Sequence, residues 1–573
     1  MARQVVAFVN PAFVSPFLRG TSSLSAAGSF IVSRHIYDGT TPSSAARRCV
    51  HMSTTQAPQK KANQGRSKKS RGGSGKREKK SSTSPGLLRA LQTYEPIIGM
   101  EMHVQLATKT KAYCNCSTKP VRTPNTNICP VCMGHPGALP VVNSKVVELA
   151  AKAGMALGCT IAQYSRFDRK NYYYVDTPKN YQITQDMNPI AQKGSLQLAS
   201  SGKKVGITRL HMEEDSAKMQ HEGAGAAGRL TDSTHSLVDF NRSGIPLIEI
   251  VSEPDISNGS EAAEYGQELQ RILRYVGTSD CNMQDGSLRC DVNISIRPRG
   301  TTNFGTKVEL KNLNSFASVQ KSIDFEIERQ ANILDDGDAV QMETRTWDEK
   351  ANETKTMRVK EGASDYRYFP EPDIPPLQIA RETLEKWRKD MPELPSQKRE
   401  RYQAEFSLSS YDAFLLSDDV TTAQYFEDSI EAGADPKQAA NWIMGDITKV
   451  LKNEKIGLRL CKLTPKNLAN MISLIDNGII SGKIAKDLIQ ELVLKGGVPS
   501  EIVDERDLKL ISDPEVIREI VAKVIEENPK ELSAYKDGKS RLFGFFVGKS
   551  LAASGGKGDP VTTNNVLKEL LDD

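Results

Sequence analysis

Three segments of the chain place acidic side chains where they could hold a metal ion. In the first, PIIGMEMHVQL, apolar and polar residues alternate, which puts Glu101 and His103 on one face of a β-strand. A carboxylate and an imidazole two residues apart lie roughly 6 to 7 Å apart along a strand, so both can reach one cation. Taken alone, such a pair on an exposed sheet face is often only solvated.

The other two segments carry more acids. GITRLHMEED ends in three consecutive acids, among them Glu213 and Glu214, and IPLIEIVSEPD sets Glu249 and Glu253 into an otherwise apolar run. Burying an ionised carboxylate without a partner is costly, so Glu249 must meet a base, a metal or water in a cleft. Oxygen ligands with one imidazole suit Mg²⁺ better than Zn²⁺, and Mg²⁺ held by few side chains usually binds phosphate oxygens too. The pattern therefore points to ATP and Mg²⁺.

A nucleotide-binding loop of the common kind is missing from the sequence. GFFVGKS, from Gly544 to Ser550, resembles a P-loop but has three residues between its glycines instead of four, and no strand-like run precedes it. We expect a helix there. An amidase-type Gly-Ser-Ser cluster is also missing from the sequence, so it offers no nucleophile for releasing ammonia from glutamine.

Four of the nine cysteines cluster in the sequence as CxC, twelve intervening residues, and CPVC. Four thiolates satisfy tetrahedral zinc and leave no open position for catalysis, so the spacing predicts a structural zinc site. Ordinary reduced thiols or a redox pair are the alternatives. The predicted ligands are Cys114, Cys116, Cys129 and Cys132. We expect burial as small hydrophobic residues for the others, which are Cys49, Cys159, Cys281, Cys290 and Cys461.

Between the acidic segments lies a stretch dense in tyrosine, lysine and aspartate, SRFDRKNYYYVDTPKNYQITQ. Its aromatic and cationic side chains could line a polar passage or stack on nucleotides. Aromatic strands can equally well pack a β core. The residues concerned are Tyr172, Tyr173, Tyr174, Tyr181, Arg169, Lys170 and Lys179.

A sheet is needed to bring these segments together, and alternation typical of strands continues through GSLRCDVNISI and GTKVELKNLNSF. The proline-rich segment DYRYFPEPDIPPL ends this region, and beyond it the periodicity changes from two to 3.6 residues. The fold class is therefore α+β, a β-rich region followed by helices. Helices are predicted over residues 383–391 and 484–494, and another begins at a capping box from Ser512 to Glu515.

The length of 573 residues allows about three to five domains. Hydrophobic residues make up 38%, and no apolar run approaches the roughly 18 residues of a membrane span, so we expect no membrane anchor. Residues 91–573 contain 60 basic and 69 acidic residues, a net charge of −9. Within them, residues 449–486 are locally basic, which indicates either a phosphate contact or a solvated helix face.

The first ninety residues differ in composition from the rest. Residues 1–50 contain five arginines, many small and hydroxyl residues and a single acid, which is typical of an organellar transit peptide. Residues 51–90 form a Lys, Gly and Ser tract, predicted to be a disordered basic linker that either contacts RNA or is merely solvated. We expect localisation in the mitochondrial matrix, with a plastid or dual targeting as the alternatives.

With these segments assembled, the chain strongly resembles the B subunits of the glutamyl-tRNA(Gln)/aspartyl-tRNA(Asn) amidotransferases, the GatB family, in an organellar form. The resemblance runs from about Tyr94 to the last residue. Its motifs are GMEMHVQL, CPVCMGHPGALPVVN, FDRKNYYYVDTPKNYQITQ, ITRLHMEED, SLVDFNRSGIPLIEIVSEPD, GSLRCDVNIS, ELKNLNSF, DYRYFPEPDIPPL and LFGFFVGKSLAASGGKGDP.

The resemblance implies a β-rich cradle domain with a zinc knuckle over residues 91–388, a helical domain over 389–500 and a small helical tail over 501–573 that contacts tRNA. It implies a ligase that uses ATP and Mg²⁺ to phosphorylate the side-chain carboxylate of glutamate misacylated on tRNA(Gln). Ammonia from a partner glutaminase then displaces the phosphate. The implied partners are the amidase (A) and small (C) subunits of the amidotransferase and the misacylated tRNA.

By the same resemblance, the catalytic residues and Mg²⁺ ligands are Glu101, His103, Glu214 and Glu249. The neighbouring acids that could also take part in cofactor binding are Glu213 and Glu253. The lysines that match the ammonia channel from the partner amidase are Lys170 and Lys179. The rival hypothesis is a noncatalytic tRNA-binding scaffold in which these acids are solvated.

Overall fold

The computed structural model describes residues 84–222, 233–359 and 365–572. The segment predicted to be a transit peptide and most of the predicted linker, with Cys49, lie outside the described residues. The last residues assigned to the linker, however, belong to a helix that starts at Pro85. The Ser84 hydroxyl caps this helix by accepting from the Leu87 amide, and Leu87 and Ala90 are buried. The prediction of a disordered linker as far as residue 90 was therefore wrong at its end, because these apolar residues pack into the core.

The chain forms sixteen strands and seventeen α-helices within the described residues. The strands are β1 Tyr94–Gln105, β2 Thr160–Ile161, β3 Tyr164–Ser165, β4 Asp168–Asn171, β5 Tyr181–Thr184, β6 Ala191–Gln197, β7 Lys204–Glu214, β8 Lys218–Glu222, β9 His235–Asp239, β10 Pro246–Ser252, β11 Leu288–Pro298, β12 Val308–Lys311, β13 Glu343–Asp348, β14 Glu353–Val359, β15 Phe369–Pro370 and β16 Leu377–Gln378. The helices are α1 Pro85–Thr93, α2 Ser144–Ala156, α3 Gly259–Tyr275, α4 Phe316–Asp335, α5 Arg381–Lys389, α6 Pro395–Phe406, α7 Ser410–Leu416, α8 Val420–Glu431, α9 Pro436–Trp442, α10 Thr448–Glu454, α11 Pro465–Asp476, α12 Gly482–Lys495, α13 Pro499–Glu505, α14 Pro514–Glu527, α15 Pro529–Lys536, α16 Phe543–Ala553 and α17 Pro560–Asp572. A π-helix, Ile443–Ile447, joins α9 to α10.

A nine-stranded sheet organises the first part of the chain, in the order β14-β13-β12-β11-β1-β10-β7-β6-β2. Its neighbouring strands run antiparallel except β12 and β13, which are parallel. Strand β1 lies near the centre, between β11 and β10. The three acidic segments of the sequence thus become adjacent strands, since β10 also pairs with β7.

The two faces of this sheet differ in polarity. Along β1, Met100, Met102 and Val104 are buried, while Glu101 and His103 alternate with them and are only partly buried. Helices α2, α3 and α4 pack against the apolar face, where they form a continuous core with the strands. The polar face is left to carry the acidic side chains, as the alternation predicted.

The helical part contains two further cores, one from Tyr402 to Val503 and one from Ile517 to Leu571. The predicted helices are present as α5, α12 and α14, and the false P-loop lies in helix α16 as expected. The predicted cap of α14 is displaced by one residue, because Asp513 and not Ser512 accepts from the Glu515 amide. A sheet domain followed by helices confirms the α+β fold class.

No helix among the described residues has both the length and the apolar character that crossing a bilayer requires.

A buried ionic cluster ties the helical part to the sheet domain. Glu268 of α3, only 3% exposed, accepts hydrogen bonds from the guanidinium groups of Arg271 and Arg399. Arg271 also donates to Asp418 over 2.6 Å. Both guanidiniums lie over the ring of Phe414, at 4.9 and 5.4 Å from its centroid. Glu268 and Asp418 together therefore balance the two guanidinium groups at the junction.

We expect Glu268→Gln to destabilise the protein by about 3 kcal/mol, because removal of one partner leaves buried charges uncompensated. Urea unfolding followed by circular dichroism measures the effect. Glu385→Gln is the matched control, because Glu385 pairs with Arg381 on the exposed surface of α5 and such pairs contribute little. Equal unfolding midpoints for the two variants would show that the cluster does not hold the junction.

Candidate active site

The polar face of the sheet presents rows of charged side chains set in register by strand pairing. His103 of β1 lies opposite Glu249 of β10, which in turn lies opposite His211 of β7. On the other side of β1, Glu101 lies opposite Asp291 of β11. Directly opposed residues on one face are close neighbours, so the register alone brings these groups together.

A cluster of one imidazole and two carboxylates lies at the centre of this face. His103 Nε2 is 3.6 Å from Glu213 Oε1 and 3.5 Å from Glu249 Oε2. Both carboxylates are at least nine-tenths buried. His211 Nε2 approaches Glu249 Oε2 at 3.2 Å, and within the described residues its buried Nδ1 has no hydrogen-bond partner. We call His103, Glu213 and Glu249 the central cluster.

Burial and neighbouring charges shift the pKa values of the three central-cluster residues in different directions. Burial acts to lower the pKa of His103, but its hydrogen bond to Glu249 and the charge of Glu213 outweigh burial and raise this pKa to about 9. Burial acts to raise the pKa of Glu249, yet the imidazoles of His211 and His103 hold it well below its ordinary value. The pKa of Glu213 is raised, chiefly by burial. The raised pKa of His103 and the lowered pKa of Glu249 both favour an ion pair between these two side chains.

The central cluster fits a hard divalent cation. Its three ligand atoms lie within 4.8 Å of one another, so one ion could touch all of them. Two carboxylates and one imidazole suit Mg²⁺ or Mn²⁺ and leave several coordination positions for water or phosphate oxygens. The cation would replace the imidazolium as the partner of the two carboxylates, since binding requires neutral His103.

A second acidic cluster lies beside the first on the same face. Glu101, Asp291 and Glu309 offer ligand atoms within 4.8 Å of one another. Asn293 donates to Glu101 over 2.8 Å, and Lys311 Nζ lies 2.6 Å from Asp291 and 3.2 Å from Glu309. The sequence prediction that Glu101 joins His103 in one ligand set is thus only partly met, because Glu101 belongs to this neighbouring group.

Glu214 lies apart from both clusters, so the structure does not place this predicted ligand beside His103. Consecutive residues of a strand point to opposite faces, and Glu213 occupies the polar one. The Glu214 carboxylate instead accepts from Lys179 Nζ at 2.5 Å and from the Ile183 amide at 3.1 Å. Glu214 and Lys179 line a cavity of about 190 Å³ together with Tyr113 and Gly244.

Glu253 also lies apart from the central cluster. It follows the end of β10, beyond the irregular pairing at Val251 and Ser252, and is exposed. Its carboxylate accepts from the Thr208 hydroxyl over 2.7 Å. The structure does not bring Glu253, predicted to take part in cofactor binding, to the central cluster, because β10 ends before it.

Lys170 lies next to the central cluster, as its place in strand β4 allows. Burial acts to lower its pKa, but the negative charges of Glu213 and Glu249 outweigh this effect, and the pKa is raised. Its ammonium group therefore remains charged near the two carboxylates. Of the two predicted channel lysines, Lys170 adjoins the polar face and Lys179 lines the cavity with Glu214.

Sequence reasoning did not select three residues of these sites, namely His211, Asp291 and Glu309. His211 stands two residues before Glu213 in GITRLHMEED, so alternation alone places both on one face. Asp291 and Glu309 stand in segments whose alternation was recognised. Their closeness to Glu101 depends on the order of strands, which alternation does not reveal.

The four clustered cysteines come together in space. Their sulfur atoms all lie within 4.8 Å of one another, and all four are free thiols. The pKa of Cys132 is lowered, first because the Cys114 thiol donates to it and further by the Cys129 amide and the Lys111 ammonium. Lys111 is fully buried, with Nζ 3.6 Å from Cys132 Sγ. Four sulfurs beside a buried cation fit a tetrathiolate zinc site.

We expect the purified protein to contain about one zinc ion per chain, and Cys129→Ser combined with Cys132→Ser to remove it, because structural zinc needs all four thiolates. Elemental mass spectrometry and the melting temperature measure the outcome. Cys461→Ser is the control, since Cys461 is a half-buried cysteine outside the cluster. A zinc-free wild-type protein, or a double variant that retains zinc, would reject the site.

Comparison with known proteins identifies the family. A profile described as the GatB/GatE catalytic domain matches residues 96–385, and one described as the GatB domain matches residues 424–571. The B subunit of the aspartyl/glutamyl-tRNA(Asn/Gln) amidotransferase of Trichodesmium erythraeum (strain IMS101) is 54% identical over 486 residues, 84% of this chain and 98% of the relative. The proteins of the same name from Crocosphaera subtropica and Synechocystis sp. are each 53% identical over 486 residues, 83% of this chain and 98% of each relative. The chain therefore belongs to the GatB family, the B subunits of the aspartyl/glutamyl-tRNA(Asn/Gln) amidotransferases.

Proposed function

We propose that the chain phosphorylates the side-chain carboxylate of glutamate misacylated on tRNA(Gln) with ATP, and then hosts its amidation. The observation that carries this proposal is the convergence of His103, Glu213 and Glu249 on the polar face of the sheet. Family membership and the names of the relatives support the reaction class. Aspartate misacylated on tRNA(Asn) is the alternative substrate, since those names include both.

The reaction would proceed in two steps. A carboxylate oxygen of the substrate attacks the γ-phosphorus of ATP, the bond to the β-γ bridging oxygen breaks, and ADP leaves. Ammonia then attacks the acyl carbon, the C–O bond to phosphate breaks, and the amide loses a proton. The acyl phosphate converts a poor leaving group into a good one, so the chain itself needs no nucleophile.

The residues of the chain would mainly position and neutralise charge. The central cluster would hold a divalent cation, which when bound neutralises charge on phosphate oxygens. Lys170 places a further positive charge beside Glu213 and Glu249, where it would help to neutralise the phosphates bound by the cation. His211 supports Glu249 from the neighbouring strand at 3.2 Å. Glu101, with Asn293 and Lys311, borders the same space.

Ammonia would reach this face through the cavity that Lys179 and Glu214 line. A partner amidase would supply it, and a small third subunit would complete the complex. The helical tail, residues 501–573, would contact the body of the tRNA. A zinc ion in the four-cysteine site would fix the loops that border the cavity, since Cys114 and Cys132 line it too.

The composition of residues 1–90 supports import into an organelle, the mitochondrial matrix or a plastid, or both. The cyanobacterial origin of the relatives favours a plastid. A fusion of residues 1–90 to a fluorescent protein tests this proposal. Fluorescence confined to the cytosol would reject it.

Purification of the tagged chain from its source organism, followed by an ATP hydrolysis assay, tests the proposed activity. We expect an amidase and a small third protein to co-purify, and ATP hydrolysis to require misacylated tRNA. Comparison of Glu-tRNA(Gln) with Asp-tRNA(Asn) assigns the substrate. An assembled complex that binds tRNA without such hydrolysis would favour the noncatalytic scaffold instead.

A further inference from the structure

A row of tyrosine rings lies on the surface next to Lys170. Tyr172 packs edge-on against Tyr174 with centroids 5.7 Å apart and against Tyr366 at 6.3 Å, and Tyr366 continues to Tyr368 at 5.9 Å. Two segments distant in sequence thus form one aromatic surface, which we call the tyrosine surface. The Asn171 amide fixes them together by donating to the Tyr366 carbonyl over 3.0 Å.

Tyr174 and Tyr368 open the tyrosine surface to solvent, while Tyr172 and Tyr366 are half-buried. Tyr174 is 54% exposed, and the adjacent Tyr173 is 72% exposed. Together the rings border a cavity of about 420 Å³, within the roughly 300 to 1,000 Å³ typical of ligand sites. A packed β core, one of the alternatives left open by the sequence, would bury these rings. Exposed and mutually fixed aromatic rings instead suit stacking of a flat partner.

Positive charge surrounds the rings. Lys170 Nζ lies 4.9 Å from the centroid of Tyr366, and Arg358 and Arg367 line the same cavity. Asp365 also lines it, and its carboxylate accepts from the Arg367 amide over 3.0 Å. Stacking rings flanked by cations are the usual means of binding unpaired nucleotides, whose bases stack while their phosphates meet the cations.

The tyrosine surface leads to the central cluster through Lys170. The Lys170 ammonium lies over the Tyr366 ring, and the negative charges of Glu213 and Glu249 act to raise its pKa. A nucleotide stacked on the rings would therefore place its attached acyl group near the acids. A different cavity, of about 290 Å³, is lined by Asn293, the hydrogen-bond partner of Glu101, and offers room for a second nucleotide.

We propose that the tyrosine surface binds the unpaired 3′ end of the misacylated tRNA, with its terminal adenosine stacked beside Tyr174 and its phosphates near Arg358 and Arg367. This inference rests on the proposed function, which supplies the tRNA. The adenine of ATP shares the same chemistry. The tRNA end fits better, because a row of several rings with two arginines suits a strand of nucleotides, and the second cavity remains for ATP.

Kinetics of the assembled complex with Tyr174→Ser and Tyr174→Phe test the proposal. We expect Tyr174→Ser to raise the KM for misacylated tRNA on the order of tenfold, the usual loss for one stacked base. Tyr174→Phe keeps the ring and should stay within about twofold of wild type. Tyr164→Ser is the matched control, because Tyr164 is a half-exposed tyrosine outside the surface. An unchanged KM for tRNA, or a raised KM for ATP alone, would overturn the assignment.

Equilibrium binding separates this proposal from the proposed function, because it needs no turnover. Deletion of the terminal adenosine from the tRNA should weaken binding to the wild-type complex on the order of tenfold. The same deletion should have no effect on the Tyr174→Ser complex, since the stacking partner is already absent. This result would support the tyrosine surface even in a complex without ATP hydrolysis. An equal loss in both complexes would overturn it.

Discussion

Glu213→Gln should lower tRNA-dependent ATP hydrolysis by about 10³-fold, whereas Glu214→Gln should leave this hydrolysis within about twofold of wild type. Glu213 belongs to the central cluster, and an amide there would hold a divalent cation poorly. Charge neutralisation by such a cation contributes several kcal/mol to phosphoryl transfer, and each ~1.4 kcal/mol is a factor of ten. Phosphate release by the assembled complex, with and without misacylated tRNA, measures both variants.

The two variants control for each other, because they differ by one position and carry the same chemical change. Gel filtration of the complex and its zinc content show whether either variant is misassembled. Loss of hydrolysis in Glu214→Gln together with full hydrolysis in Glu213→Gln would contradict the proposal. It would show that the ligand is Glu214 and lies on the other side of β7. In that case the end of β7 would have to pair with β10 in a different register from the one that the structure shows.

Lys179→Met should lower glutamine-dependent amidation by about 10²-fold while amidation from ammonium chloride and ATP hydrolysis stay within about twofold. The ammonium group of Lys179 is the partner of the buried Glu214 carboxylate, and both line the cavity proposed as the ammonia route. A thioether there would leave the carboxylate unpaired and close the polar route. Delivered ammonia acts at a high effective concentration that is lost when the route fails.

The measurement compares amide formation on misacylated tRNA with glutamine and with a high concentration of ammonium chloride. Lys204→Met is the control, because Lys204 is an exposed lysine at the start of β7. Equal loss with both nitrogen sources would assign Lys179 to the chemistry at the polar face. Full activity with glutamine would show that ammonia does not pass through this cavity.

Local alternation predicted several of the side-chain positions that the structure shows. It placed Glu101 and His103 on one face of β1, and the apolar run around Glu249 predicted a buried carboxylate with a basic partner, which His211 and His103 supply. The period of 3.6 residues likewise predicted the helices of the second half of the chain. Each of these features depends on residues a few positions apart, so the pattern within one segment is enough to predict it.

The positions that alternation did not predict depend on contacts that are distant in sequence. The choice between Glu213 and Glu214 depends on the register of β7 against β10, where Leu247 lies opposite Glu213. The second acidic cluster depends on β11 and β12 lying beyond β1 in the sheet. These are properties of strand order and register, which no single segment fixes.

Glu213 and Glu214 are consecutive residues of β7, yet Glu213 belongs to the central cluster and Glu214 lines the cavity with Lys179. On one side lie the groups proposed to activate a carboxylate, and on the other lies the proposed supply of nitrogen. Because the peptide unit between them is planar and rigid, a shift of the end of β7 would displace both carboxylates together. Under the proposed function, the two half-reactions would then share one element of the backbone.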